Sequence, residues 1–271
     1  MQADSSEPRL RVALVGWGAI GTATAGYLAD APVEIVAVAV RDATGEREGL
    51  PVGARLISDP NELAGIDVDV VAEAAGRESV GPWGRAALAL GADFIVSSVS
   101  AFADAALLEE LRALAARHGV TVQIQPGALA GVDTLAAARH MGVDAVEHRM
   151  VKPPRAWTGT PAEELCDLEQ LSESTVFFSA SAAETARAFP KNANVAMTTA
   201  LAGIGPDRTT ISLVADPSAT TNRHEITAHG PFGSLDVVID NNPLPTNPKS
   251  SAMAALALVR AIENRATPLA I

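Results

Sequence analysis

The stretch "RAFPKNANVAM", residues 187–197, sets a lysine and two asparagines directly after a proline and before an apolar run. Proline suits the first turn of a helix. Lys191 is therefore expected near a helix N-terminus, where the macrodipole disfavours a cation by roughly a few tenths of a kcal/mol. Either its ammonium reaches into water, or an anionic, hydrogen-bonding group docks there beside Asn192 and Asn194. Lys249 repeats the same "PK" context, and Lys152 in "VKPPRAW" is a third cation that could meet a carboxylate. A solvated surface lysine explains any one of the three equally well. Among the five histidines, His118 and His140 close helical patterns, where the dipole favours them, and His148 lies in a strand-like run. His224 and His229 are five apart, so a regular strand points them to opposite faces. His224 follows the small polar loop "DPSATTNR", where a site can open, and an imidazole gives and takes protons near neutrality.

The segment "VALVGWGAIG" supplies a second chemistry, with Gly16-x-Gly18-x-x-Gly21 between an apolar run and a helical pattern. Gly16 allows the tight turn, Gly18 lets the backbone approach a pyrophosphate, and Gly21 permits close helix–strand packing. Ala19 and Ile20 complete the turn, and the helix N-terminus faces the phosphates. A ligand-free glycine turn would share these letters, but the flanking strand and helix patterns suit a dinucleotide. The next apolar run ends Val40-Arg41-Asp42. An acid there would hold the 2′-hydroxyl of NAD, and an arginine would hold the 2′-phosphate of NADP. Either cofactor is supported.

The elements that must position these residues fall into two patterns. Continuous apolar runs at 11–16, 33–40, 69–76, 93–100 and 120–127 alternate with helical segments such as "AIGTATAGYLA" and "ADAALLEELRALAARHG". Strands buried on both faces with helices between them predict a Rossmann-type, doubly wound parallel sheet. Near residue 127 the pattern changes to a helix, "GVDTLAAARHM", followed by strands that alternate polar with apolar: "AVEHRMV", "STVFFSAS", "RTTISLVAD", "RHEITAHG" and "SLDVVIDN". These predict a smaller α+β substrate domain with a mostly antiparallel sheet and a hairpin around "GPFG". The helix opening at "PKNANVAMTTALAGIG" would pack on it. The end of the chain, "NPKSSAMAALALVRAIEN", is expected as one amphipathic helix with Asn247 as N-cap and Pro248 in its first turn. The expected domains are 1–126, completed by the C-terminal helix 247–271, and 127–246.

Composition narrows the function. The 271 residues are 48% hydrophobic and 19% charged, enough for real cores and far from a disordered composition. A formal net charge of −12 argues against nucleic-acid or anionic-membrane partners. It leaves room for a locally basic site and a small anionic substrate. The single cysteine, Cys166, cannot form an internal disulfide, which suits a reducing cytoplasm. No CxxC or HExxH suggests a metal, and no signal-peptide order opens the chain. The apolar stretch 12–29 has the length of a membrane span, but its four glycines and the Asp30-Ala31-Pro32 stop suit a strand plus helix.

Taken together, "GWGAIG", "SAFAD" (100–104), "PGALAGVDTL" (126–135), "FPKNANVAMTTALAG" (189–203), "RHEI" (223–226) and "NPKSS" (247–251) make the chain similar to the L-aspartate dehydrogenase family. The similarity covers essentially everything after the first nine residues. It implies oxidation of L-aspartate by NAD or NADP to iminoaspartate, which yields oxaloacetate and ammonia in water or feeds NAD biosynthesis. It also implies a homodimer. The family's cofactor-contacting alanine falls on Ala128, its asparagine at the end of "KNAN" on Asn194, and its catalytic histidine on His224. Lys152, Lys191, Asn192 and Lys249 are then the candidates for the substrate carboxylates. Two rivals remain. A dihydrodipicolinate- or homoserine-type reductase would share the architecture, but the former's paired histidines and Ser-Gly-Thr are lacking. A catalytically silent NAD(H)-binding sensor would need neither His224 nor "KNAN".

Overall fold

The computed structural model describes residues 9–45 and 47–270, with the side chains of Pro248 and Lys249 excepted. It divides into two compact units, Met1–Gly127 with Ala254–Ile271, and Ala128–Met253.

In the first unit the strands are β1 (Leu10–Val15), β2 (Val33–Ala39), β3 (Arg55–Ile57), β4 (Val70–Glu73), β5 (Asp93–Val96) and β6 (Val122–Ile124). They form one parallel sheet in the order β3-β2-β1-β4-β5-β6. All four residues of β4 are buried, as helices on both faces of such a sheet require. Helices α1 (Ala19–Tyr27), α2 (Arg77–Ala89) and α3 (Ala105–His118) connect the strands. α3 starts where Asp104 accepts from the backbone N–H of Ala106 and Leu107, and it stops at left-handed Gly119. The run at 93–100 is only half strand. After Val96, Ser98 turns its N–H and hydroxyl to the carboxylate of Glu73, and a 3₁₀ turn follows at Val99–Ala103.

The second unit holds α4 (Val132–Ala138), β7 (Ala145–Lys152), α5 (Ala162–Leu165), β8 (Thr175–Ser181), α6 (Ala182–Ala188), α7 (Ala193–Ala202), β9 (Thr210–Ala215), β10 (Asn222–Gly230) and β11 (Gly233–Asn241). Its sheet order is β11-β10-β7-β9-β8, antiparallel except for the β7–β9 pair. The β10–β11 hairpin turns at Pro231-Phe232, with Gly230 opposite Gly233. One turn of 3₁₀ helix at Pro190–Asn192 leads into α7. Met150, Ile211 and Leu213 of the sheet pack with Ala196 and Ala200 of α7 and with Trp157 and Phe189.

The C-terminal segment departs from the sequence expectation. Asn247–Ser251 is a strand, β13, paired with β12 (Pro243–Leu244), and the helix α8 covers Ala252–Ala266. Ser251, not Asn247, serves as the cap. Its hydroxyl accepts from the N–H of Met253 at 3.2 Å and donates to Asn241 Oδ1 at 2.8 Å. A proline is tolerated in such an edge strand, so Pro248 does not force a helix to begin there. Leu258 and Ile262 of α8 join Val12, Leu14, Val70 and Ile95 in the core of the first unit. Arg265 binds Asp93 at 2.8 Å and also Gln123, fixing α8 beside the sheet edge. None of the described helices is long and apolar enough to cross a membrane.

Candidate active site

In the first unit, strand order reverses between β1 and β4, the switch point at which doubly wound sheets bind ligands. A cleft of about 730 Å³ opens there, lined by the segments that follow β1, β2, β3 and β4 and by Arg41, Arg47 and Ser58. The three glycines have separable causes. Gly16 has φ +105°, and a Cβ on it would stand 2.8 Å from the carbonyl oxygen of Ala74. A Cβ on Gly21 would collide with the carbonyl of Gly16. Gly18 is different, because a Cβ there meets nothing within 4 Å. No protein atom demands glycine at 18, so a ligand lying against the backbone is what fits, at the N-terminus of α1. Ala19 and Ile20 are half-buried in the first turn of that helix.

Glu73 holds the opposite wall. Its fully buried carboxylate accepts from the backbone N–H of Ala75 and Gly76, both at 2.8 Å, from Ser79 Oγ at 2.9 Å and from Ser98. This fixes the 74–76 turn, against which Gly16 packs, and the first turn of α2. At the far end, Asp42 is occupied by its own turn. Its Oδ1 accepts from the N–H of Thr44 at 2.9 Å and from the hydroxyl at 2.6 Å, and those bonds hold its carboxyl below the usual range. Arg47 donates to the Asp42 carbonyl at 2.8 Å, and Arg41 is exposed on the cleft.

In the second unit, alternation along β7 turns Val146, His148, Met150 and Lys152 inward, and along β10 it turns His224, Ile226 and Ala228 inward. His229 is exposed on the other face. His148 Nε2 lies 3.0 Å from His224 Nδ1, and His148 Nδ1 lies 2.9 Å from the hydroxyl of Thr199 on α7. Burial, and after it the nearby Lys152 ammonium, together lower the His224 imidazole to about 3. His148 is pushed well below the ordinary histidine value by burial and then by His224. Both rings are neutral at physiological pH.

Lys152 donates to Asn192 Oδ1 at 2.5 Å, and its ammonium stands 4.7 Å over the Trp157 ring. Burial pulls it from its ordinary 10.5 down to about 8. It has no carboxylate partner among the described residues, which suits a cation reserved for an anionic ligand. Among the sequence candidates, then, Lys152 and Asn192 are joined directly, and Lys152 is close enough to act on His224. Lys191 stands apart from this group. It is exposed, with its ammonium 3.5 Å from the carbonyl of Gly159. Asn194 is exposed in the first turn of α7. Ala128 is buried, and its carbonyl accepts from Asn241 Nδ2 at 3.0 Å. The Lys249 side chain lies outside the described residues.

Sequence reasoning missed His148, Thr199, Glu73 and Asn241. For His148 a signal was present, because "VEHRMVK" places a histidine and a lysine on the same period-2 face as Val146 and Met150.

Comparisons with known proteins converge on one family. The model described as aspartate dehydrogenase, C-terminal, matches residues 133–265, and the homoserine dehydrogenase NAD-binding domain matches 16–125. L-aspartate dehydrogenase of Brucella anthropi is 56% identical over 256 residues, 94% of this chain and 96% of that protein. The enzyme of the same name from Pseudomonas aeruginosa is 39% identical, covering 97% of this chain and all (100%) of that one. Among solved structures, aspartate dehydrogenase from Thermotoga maritima covers 97% of this chain and 99% of its own, with a TM-score of 0.78 at 23% identity, a likeness of fold. A dihydrodipicolinate reductase from Paenisporosarcina shares the fold more distantly, with a TM-score of 0.54 at 15% identity.

Proposed function

The chain belongs to the L-aspartate dehydrogenase family, and from this we propose that it oxidises L-aspartate at its amino-bearing carbon, with NAD or NADP as the hydride acceptor. The balanced reaction is L-aspartate, oxidised cofactor and water giving oxaloacetate, ammonium, reduced cofactor and a proton. Iminoaspartate precedes hydrolysis. What supports the chemistry most directly is His224, an imidazole kept neutral by burial and by the Lys152 cation.

The steps assigned to the chain's own residues follow from that state. The substrate's ammonium must lose a proton before its nitrogen can form a double bond to carbon, and neutral His224 takes it through Nε2, the ring nitrogen not engaged with His148. When water adds to the imine and ammonia leaves, the same nitrogen returns and accepts protons in turn. Lys152, steadied by Asn192, holds a substrate carboxylate by a charge-assisted bond, with Lys191 and Lys249 as further candidates for a second carboxylate. The glycine turn at Gly16, Gly18 and Gly21, with Ala19 and Ile20, would hold the cofactor pyrophosphate, and Ala128 and Asn194 are assigned to the cofactor by family resemblance. The nicotinamide, when bound, supplies the site that receives hydride.

At the ribose, Arg41 and Arg47 with a self-occupied Asp42 favour acceptance of the 2′-phosphate of NADP. A homodimer, a cytoplasmic location and a place in NAD biosynthesis extend the same reading and follow from the resemblance alone. The test is reduction of NAD or NADP, followed by absorbance, with L-aspartate set against L-glutamate and L-alanine. Selective turnover of L-aspartate is expected, and equal turnover of L-alanine would remove the case for a second carboxylate.

A further inference from the structure

The wire of groups behind His224 has a direction. The Thr199 hydroxyl has one proton and two acceptors in reach, the carbonyl of Val195 at 3.1 Å and His148 Nδ1 at 2.9 Å. In one arrangement the hydroxyl donates to Val195, His148 donates from Nδ1 to the hydroxyl oxygen, and His224 donates from Nδ1 to His148 Nε2. That makes three hydrogen bonds and leaves His224 Nε2 unprotonated. In the other, the hydroxyl donates to His148 Nδ1, His148 Nε2 donates to His224 Nδ1, and the remaining proton of His224 sits on Nε2. That makes two bonds and abandons the one to Val195. Each buried bond is worth having, so the first arrangement wins.

We propose that Thr199 and His148 are positioning residues that fix His224 as its Nδ1–H tautomer, presenting Nε2 as a ready base. This rests on the assignment of His224 as the acid–base residue. A carboxylate in the place of His148 would also fix the tautomer, but it would stabilise the imidazolium. The neutral His148 ring gives orientation without that charge. The groups facing the pair are the Thr199 hydroxyl from α7, the Lys152 ammonium from β7 and the two rings themselves, with no carboxylate bonded to either ring among the described residues. With no carboxylate to stabilise its imidazolium, His224 readily passes on any proton it takes from substrate.

Thr199→Val tests the assignment, because it keeps shape and removes the hydroxyl. His148 Nδ1–H would then be a buried donor without an acceptor, which shifts His148 to its Nε2–H form and puts the proton of His224 on Nε2. Leaving such a buried donor unsatisfied corresponds to about 5- to 150-fold in population. The oxidation kcat should fall by about that factor, with the cofactor KM within about twofold, and Thr199→Ser should restore kcat. A purely structural role for Thr199 would move both constants and would not separate the two variants. A second readout uses no aspartate. In ¹⁵N–¹H correlation spectra of the wild-type protein at pH 7, His224 should show a protonated Nδ1 and a bare Nε2, and His148 a protonated Nδ1. A protonated His224 Nε2 overturns the proposal even if the enzyme is active or if Thr199→Val fails to fold. An unchanged kcat in a folded Thr199→Val protein overturns it as well. If the spectra are as expected and L-aspartate is not oxidised, the tautomer assignment stands and the proposed reaction fails.

Discussion

Replacing Lys152 with methionine removes the ammonium and keeps most of the apolar stem that lies against Trp157. The wild-type cation is held in place by Asn192 and has no anionic partner among the described residues. A substrate carboxylate would supply one. A hydrogen bond to a charged group contributes about 1.5–3 kcal/mol, which is about 10- to 150-fold in affinity. The sign of the pH effect follows from burial, which lowers the Lys152 pKa to about 8. The cation is therefore lost as pH rises through about 8, well before an ordinary lysine would lose it.

Succinate, as a competitive inhibitor against L-aspartate, reads this without interference from the substrate's own amine. At pH 7 roughly nine-tenths of the lysine is charged and at pH 9 roughly one-tenth. The wild-type inhibition constant should then weaken about tenfold across that range, while that of Lys152→Met stays flat. The gap between the two proteins should shrink from about 10–150-fold to about 1–15-fold. A gap that is large and constant from pH 7 to 9 would refute the reasoning, because the binding cation would then be another residue or its pKa would be unshifted.

Other substitutions probe the remaining assignments. His224→Ala should lower kcat by about 10²–10⁴-fold with little change in the cofactor Kd, whereas exposed His229→Ala on the opposite face of β10 should be mild in steady-state assays. Arg41→Ala should weaken NADP more than NAD by about 1–3 kcal/mol in a fluorescence titration, and equal losses would place Arg41 away from the 2′ position. Gly18→Ala should leave Tm nearly unchanged, since a Cβ there meets nothing within 4 Å, yet raise the cofactor Kd. Gly21→Ala should cost about 1–3 kcal/mol of stability, read as a lower Tm, because its Cβ meets the Gly16 carbonyl.

The parallel sheet was legible because strands buried on both faces must be written as apolar runs, and β1, β2, β4 and β5 are. β3 was not, since three residues at a sheet edge leave no pattern, and its existence depends on pairing with β2. The start of α8 was misplaced because Asn247-Pro248 satisfies a local capping rule, while the β12–β13 ladder and the Ser251–Asn241 bond that decide the matter are not local. The same distinction runs through the site. The glycine turn is encoded in six consecutive residues and was found. The His148–His224 bond joins residues 76 apart, and Thr199 lies 51 from His148. No spacing rule links them until β7 and β10 pair and α7 covers the sheet. Glu73 sat in an apolar run as a conspicuous carboxylate, but its donors come from its own loop and from Ser98, 25 residues on.

The central claim is that hydride leaves the α-carbon of L-aspartate for a nicotinamide while nitrogen leaves as ammonia. Incubating the protein with L-aspartate deuterated at the α-carbon and with NAD or NADP, then weighing the reduced cofactor by mass spectrometry and counting ammonia, tests it in one experiment. One deuterium per reduced cofactor, with ammonia and oxaloacetate formed in equal amounts, is the predicted result. Reduction without deuterium transfer, or no reduction with either cofactor, would contradict it.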